Sequence, residues 1–306
     1  MDQPLRSSTG LCNINILFRE PEHQPPRAVL TVMHGMAEYV DRYNDFAGFL
    51  AENGIAFAAA DMVSHGKSIS ENGIRGYFGP ENGWDRLIED ALNVHNVIKQ
   101  AYPSIPCILL GHSMGSFLAR SYAARHGEDI DAFIFCGTAG RNPAMPIAKL
   151  VAKEEIKRTG GKTPNKLLDS LAFGAYNKPF EGRTAFDWLS KNKENVDKYV
   201  ADPLCGFTFT ACAFRDLFTG LDEVSQPGWA AKVPNKPIMV IAGDKDPVGS
   251  MGKGPKEVAA KLLESGHDVI LKLYPEMRHE ILNETGKEEV WKDIVDFINM
   301  RIAGEK

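Results

Sequence analysis

Apolar residues along this chain come in two rhythms, and the two alternate. Short, mainly apolar runs fall at 27–33, 55–60, 106–110, 132–136, 237–242 and 269–274. Runs of that length, bounded by Gly, Pro or polar clusters, predict buried strands. Between them, apolar positions recur at helical spacing. In 84–101 they fall at Trp84, Leu87, Ile88, Ala91, Leu92, Val94 and Ile98, close to one helical face. Val290, Trp291, Ile294, Val295 and Ile298 repeat the spacing near the C-terminus. Helices are predicted over 41–53, 84–101, 116–126, 256–265 and 287–302. One more strand, 11–18, alternates apolar and polar residues and is expected to pair with 27–33 as a hairpin-like start. Strand–helix alternation of this kind predicts an α/β fold, a mostly parallel sheet flanked by helices on both faces.

The alternation breaks between 141 and 232. This stretch is too long for a loop in a compact domain. It carries helix-like pieces at 146–159, 163–174, 183–189 and 207–221, and Gly160-Gly161 reads as a flexible point among them. The expected organisation is a core made of 1–140 and 233–306, with 141–232 inserted as a helical cap. Ligands of such sheets bind beyond the carboxyl ends of the strands, so the cap would lie over the site.

The chemistry sits at those strand ends. Gly111-His112-Ser113-Met114-Gly115 directly follows the 106–110 strand and opens a helix-rich segment. A serine at such a strand-to-helix turn is held on a strained backbone with its hydroxyl projecting outward. The flanking glycines let helix and strand pass where a β-carbon would clash. A nucleophilic serine needs a base and an orienting acid, expected in the order Ser, Asp, His. The 237–242 strand ends in Gly243-Asp244-Lys245-Asp246-Pro247. Asp246, deeper in the loop, is favoured as the acid. Asp244 competes, or serves only to hydrogen-bond the turn. The 269–274 strand is followed by Pro275-Glu276-Met277-Arg278-His279-Glu280, which puts His279 where the base belongs. The plainer alternative for His279 is an ion pair with Glu276 or Glu280. Acyl transfer also needs two donors for the oxyanion, usually backbone N–H groups. Met114 follows the nucleophile and supplies one. The 27–33 strand ends in His34-Gly35-Met36-Ala37-Glu38, and Met36 N–H is the expected second donor.

These segments together resemble the α/β-hydrolase superfamily, in particular its monoacylglycerol lipase and lysophospholipase (serine aminopeptidase-like) branch. His34 to Glu38 followed by Arg42-Tyr43 is similar to the oxyanion segment of that branch. Asp61 to Ser68 (DMVSHGKS) resembles its D-x-x-x-H-G-x-S segment, and Gly111 to Gly115 matches its G-H-S-M-G elbow. Asp246 and His279 fit its acid and base. The resemblance implies an α/β-hydrolase fold with a cap, and a serine ester hydrolase acting through an acyl-enzyme on monoacyl lipid esters. It needs no cofactor. Between 141 and 232 the match is loose, apart from Asp202-Pro203-Leu204. Met36 is bulkier than the residue often found there and would narrow the acyl mouth.

Composition trims the alternatives. With 306 residues, 43% hydrophobic and a net charge of −5, the chain can bury a large core and shows no nucleic-acid footprint. There is no HExxH, zinc cysteine set, EF-hand, P-loop or G-x-G-x-x-G after the first strand, so neither metal nor nucleotide is expected. The N-terminus has no apolar stretch, and no secretory signal is expected. No apolar run is long enough to span a bilayer. Five cysteines without a CxxC pair suit free thiols in a reducing, cytoplasmic setting. The insertion holds Phe173, Tyr176, Phe180, Phe186, Trp188, Tyr199, Phe207, Phe209, Phe214 and Phe218. Most are expected to pack the cap's own core. The rest are available to line an acyl channel or a patch that touches a membrane or micelle. The substrate is therefore expected to be a small-molecule or lipid ester. The alternatives are a proline iminopeptidase-like aminopeptidase, a general carboxylesterase or thioesterase, and a non-catalytic binding protein. The aminopeptidase would need a cap carboxylate for the α-amine, with Glu154, Glu155, Glu181 and Asp187 as candidates.

Overall fold

The computed structural model describes residues 4–303. The outermost ends of the expected core, 1–3 and 304–306, lie outside the described residues, as does the start of the segment inspected for a leader. The strands are β1 (Ile16–Arg19), β2 (Ala28–Met33), β3 (Ile55–Ala60), β4 (Cys107–His112), β5 (Ala132–Cys136), β6 (Ile238–Gly243) and β7 (Val269–Tyr274). They form one sheet in the order β1-β3-β2-β4-β5-β6-β7. All neighbours from β3 to β7 pair in parallel, and β1 alone is antiparallel. This is the α/β-hydrolase architecture.

The apolar runs become the centre of this sheet because a parallel strand is covered on both faces. Every residue of β2, β4, β5 and β6 is buried. Alternate residues feed two cores. Phe133 and Phe135 belong to one, while Ala132, Ile134 and Cys136 belong to the other. Helices α1 (Asn44–Glu52), α2 (Gly83–Ala101) and α3 (Met114–His126) connect the first strands. Between β5 and β6 the chain leaves the sheet through α4 (Met145–Thr159), α5 (Lys166–Phe173), α6 (Lys193–Ala201) and α7 (Ala211–Glu223); α8 (Lys253–Glu264) follows β6 and α9 (Lys287–Ala303) follows β7. The α2, α3 and α8 helices supply one core, and α1 and α9 the other.

Several sequence expectations need correction. The 11–18 segment does not form a hairpin with 27–33. Only its end becomes β1, and Ile16 pairs with Ala60 of β3. The linker back to β2 carries Pro21, Pro25 and Pro26, residues that cannot donate to a ladder. The centrally placed β2 instead takes parallel partners on both sides, β3 and β4. In the insertion, 183–189 yields only a short 3-10 turn at Asp187–Leu189, and α6 was not foreseen. The 163–174 and 207–221 helices start late because caps set their ends. Asn165 Oδ1 accepts from Leu168 N at 3.0 Å, and Thr210 Oγ1 accepts from Ala213 N at 3.4 Å. Gly160-Gly161 forms the turn after α4. Gly160 closes α4 in the left-handed region, and Gly161 O accepts from Cys212 N at 3.2 Å.

Candidate active site

Ser113 sits between β4 and α3 with φ 55° and ψ −122°. A serine holds that conformation only where its surroundings over-determine it. Here the restraint is close packing. A β-carbon on Gly115 would lie 2.1 Å from Met33 O, and one on Gly111 would lie 2.2 Å from Gly115 O. Ser113 N donates to Cys136 O at 3.0 Å, and Ser113 O accepts from Ser116 N at 2.8 Å. The side chain therefore leaves the sheet at the N-terminus of α3, where partial positive charge gathers.

The residues expected as acid and base lie in the loops after β6 and β7. Asp246 is fully buried, and its Oδ2 lies 2.9 Å from His279 Nδ1. Its Oδ1 accepts from Val248 N at 2.8 Å. The competing Asp244 instead accepts from Glu276 N at 2.8 Å and braces the turn. His279 does not pair with its acidic neighbours. Glu276 meets Lys245 and Glu280 meets Arg42. Among the described residues no hydrogen bond joins Ser113 Oγ to the His279 ring, and the two meet as walls of one cavity. Catalytic hydrogen bonds commonly tighten only once substrate is bound.

The expected oxyanion loop is held from below. Glu38 Oε1 accepts from Gly35 N at 2.6 Å and from the Tyr43 hydroxyl at 3.0 Å. It also lies 3.1 Å from His112 Nδ1. Ala37, at φ 52°, donates its N–H to His65 Nε2 at 3.3 Å. Burial pushes the His65 ring down to about 3, so it stays a neutral acceptor. His65 is thus a brace, and Met36 and Met114 both line the cavity beside Ser113. Asp61 anchors the following turn by accepting from Val40 N and Lys67 N, each at 2.9 Å.

A buried charge network surrounds these loops. Arg42 donates to Glu38 Oε2 at 2.9 Å and forks onto Glu280 at 2.6 and 2.7 Å. Asn195 of α6 donates to Glu280 at 2.7 Å. Burial alone would push the Glu38 carboxyl up. The His112 hydrogen bond and the Arg42 charge outweigh it and hold Glu38 well below the usual carboxylate range. Burial likewise opposes charge on His112, but Glu38 overrides it and raises the ring above its ordinary value.

Over the strand ends lies a cavity of about 680 Å³. Ser113, His279, Met36 and Met114 form its floor, and α4, α5 and α7 supply its walls with Met145, Ala148, Val151, Leu168, Leu217 and Phe218. Of the ten aromatic residues named above, seven line it, and Phe180, Phe209 and Phe214 do not. More of them face the ligand space than expected. Trp188 packs directly on His279, with ring centroids 5.2 Å apart. The expected carboxylates are engaged elsewhere. Glu154 pairs with Lys157, Glu155 with Arg158 and Glu181 with Arg278, while Asp187 accepts from Thr184. The cap carboxylate that lines the cavity is Asp169. Among the described residues no group of three or more His, Cys, Asp or Glu is arranged to hold a metal.

The profile of the family described as Hydrolase_4, serine aminopeptidase S33, matches residues 24–286. The chain belongs to this family. Within it, the chain is 30% identical over 278 residues to a monoacylglycerol lipase of Mycolicibacterium smegmatis, covering 89% of this chain and 88% of that protein. It is 27% identical over 270 residues to the monoglyceride lipase of Homo sapiens, covering 85% and 81%. Among solved structures it is similar to a thermostable carboxyl esterase from Bacillus coagulans in complex with glycerol. That match has a TM-score of 0.92, 33% identity and 98% of each chain covered. The resemblance to the monoacylglycerol lipase branch of the α/β-hydrolases holds, and the protein is a hydrolase.

Sequence reasoning did not foresee the buried network of this family member. Arg42 and Glu38 entered only as letters of a motif, and Glu280 only as a partner for His279. Arg42 and Glu280 stand 238 positions apart. The one usable signal was a pair of opposite charges four positions apart, Glu38 and Arg42, although Glu38 lies in the loop before the 3-10 turn and not on a helix.

Proposed function

We propose that this protein hydrolyses monoacyl lipid esters, monoacylglycerols or lysophospholipids, through a Ser113 acyl-enzyme. The observation that carries the reading is the buried 2.9 Å contact between Asp246 and His279, with the His279 ring and Ser113 lining one largely apolar cavity. His279 Nε2 takes the Ser113 proton as Oγ attacks the ester carbonyl carbon. Asp246 holds the imidazole tautomer and stabilises the imidazolium. The oxyanion is bound by the N–H groups of Met36 and Met114. The carbon–oxygen bond to the alcohol then breaks as His279 returns the proton to that oxygen. Water attacks the acyl-enzyme by the same route, releasing the acid and restoring Ser113.

In this reading 141–232 is the cap, with the core in 1–140 and 233–306. The cap's aromatic and aliphatic wall is the acyl channel. Exposed Ile147, Leu150, Leu167 and Leu171 on α4 and α5 support a transient membrane or micelle contact. Five free, buried cysteines support a reducing, cytoplasmic setting. The aminopeptidase alternative rests on Asp169 alone, whose carboxyl is pushed up by burial.

A substrate panel tests the proposal. Each buried CH₂ stabilises by about 0.8 kcal/mol, so four add about 3 kcal/mol. Going from a four-carbon to an eight-carbon monoester, both below micelle formation, should raise kcat/KM by roughly two orders of magnitude. A fluorophosphonate should label Ser113, and Ser113→Ala should abolish both labelling and turnover. Flat or falling activity over those lengths rejects the lipid ester. A requirement for a free amine points to the peptidase.

A further inference from the structure

His112 occupies the second position of the elbow, yet the mechanism above does not use it. Its side chain is buried and both ring nitrogens face oxygen acceptors. Nδ1 lies 3.1 Å from Glu38 Oε1, and Nε2 lies 3.4 Å from the main-chain carbonyl of His279. A neutral imidazole can donate to only one of the two, whereas an imidazolium satisfies both. The charges around it ask for the same form. Glu38 and Glu280 are two buried carboxylates that share one guanidinium, Arg42, at 2.9 and 2.6 Å. A third charge, positive and adjacent, balances the group. A buried charge left uncompensated is strongly unfavourable.

The two contacts of His112 tie together loops that are far apart in the chain. The same Oε1 that meets His112 also accepts from Gly35 N at 2.6 Å, directly before the Met36 donor. The His279 carbonyl belongs to the base itself, and the two rings pack against each other, tilted by 38°, with centroids 4.9 Å apart. We propose that His112 is held as an imidazolium and acts as a positioning residue that locks the oxyanion loop, through Glu38, to the loop carrying the catalytic base.

The groups facing His112 are few and can be named. Glu38, Arg42 and Tyr43 approach from the oxyanion loop and the turn before α1. His34 lies on that loop, and its Nε2 accepts from Met62 N. His279 and Glu280 come from the base loop with Asp246 behind them, and Cys136 pairs with His112 across β5. Burial pushes the Tyr43 hydroxyl and the Cys136 thiol well up, and Glu280 and Glu38 outweigh burial to raise Arg42. His112 is thus the network group poised to lose charge on the alkaline side. Its ring is raised, so the imidazolium persists below that value and is lost as pH rises through it.

The inference rests on the roles given to Ser113 and His279, so Ser113→Ala is assayed beside His112→Gln. The expected result for His112→Gln is a loss of roughly 10²-fold in kcat with KM nearly unchanged, as for misplacement of groups that act only in the transition state. The wild-type kcat should fall on the alkaline side, and His112→Gln should lack that fall. Unchanged kcat and an unchanged pH profile, with Ser113→Ala inactive, overturn the role of His112 and leave the hydrolase site intact. An active Ser113→Ala removes the site and this inference with it. If His112→Gln does not fold, ¹⁵N-histidine NMR of the wild type decides. The ring whose signals move most in Glu38→Gln should carry protons on both nitrogens at neutral pH, and a neutral tautomer there refutes the proposal.

Discussion

Ser113 owes its backbone to its neighbours' lack of side chains. At φ 55° it bulges from the sheet because Gly115 lets α3 approach Met33 O more closely than any β-carbon allows. The same local logic made Asp246 and His279 readable, since each follows the carboxyl end of a strand in a loop of fixed order. The two aspartates separate by burial and partner. Asp246 is enclosed and on His279, while Asp244 holds Glu276 N. Asp246→Asn should therefore lower kcat by roughly 10⁴-fold through the wrong imidazole tautomer. Asp244→Asn should cost far less, and the reverse ranking in steady-state kinetics would reassign the acid. What stayed illegible at this scale is the Arg42, Glu38, Glu280 and His112 cluster. Scattered charges in a sequence read as solvated surface, and only the fold brings 42 and 280 together.

Elements were legible where a short apolar run was bounded by turn residues, even in β7, most of whose residues are only half-buried. Strands β3, β5 and β7 begin and end where the apolar runs do. The insertion was harder, because its helix ends are set by caps and by contacts with the core. One such contact gives a test. Asp216 of α7 is buried against Gly83, the first residue of α2, with Arg215 Nε donating to Oδ1 at 2.9 Å. Among the described residues its Oδ2 has no partner. Burial outweighs Arg215 and pushes the carboxyl up to about 6. The folded chain thus binds more protons than the unfolded chain between the ordinary carboxyl value and 6. Stability falls as pH rises through that window and stays reduced above it. Asp216→Asn keeps the shape and removes the charge. It should raise Tm by about 2–5 °C near neutral pH and change it little in mild acid. Thermal melts at the two pH values check this, and a lower Tm at neutral pH would show that the Arg215 pair outweighs burial.

At the scale of the whole molecule, the cavity and the exposed apolar surface are continuous. Ile147 and Leu171 are 67% and 65% exposed, yet both also line the cavity. Leu150 and Leu167, 60% and 49% exposed, stand on the same two helices but outside it. Among the described residues no helix is long and apolar enough to cross a membrane, so contact with a bilayer would be made by this rim lying on the interface. A monoester could then pass from lipid to Ser113 along apolar surface without crossing water. Leu150 and Leu167 separate docking from catalysis because they touch only the rim. Burying a leucine fully contributes about 1.5–3 kcal/mol, and partial burial of two still amounts to roughly 2 kcal/mol. Replacing both by glutamate should lower vesicle binding, and turnover of a long-chain monoester held in vesicles, by at least about tenfold. On a short soluble ester the same variant should keep its kcat/KM within about twofold, since neither side chain faces the reacting groups. Equal losses on both substrates would place these residues in the cap's packing instead of a docking surface. No loss on vesicles would leave the rim without a membrane role.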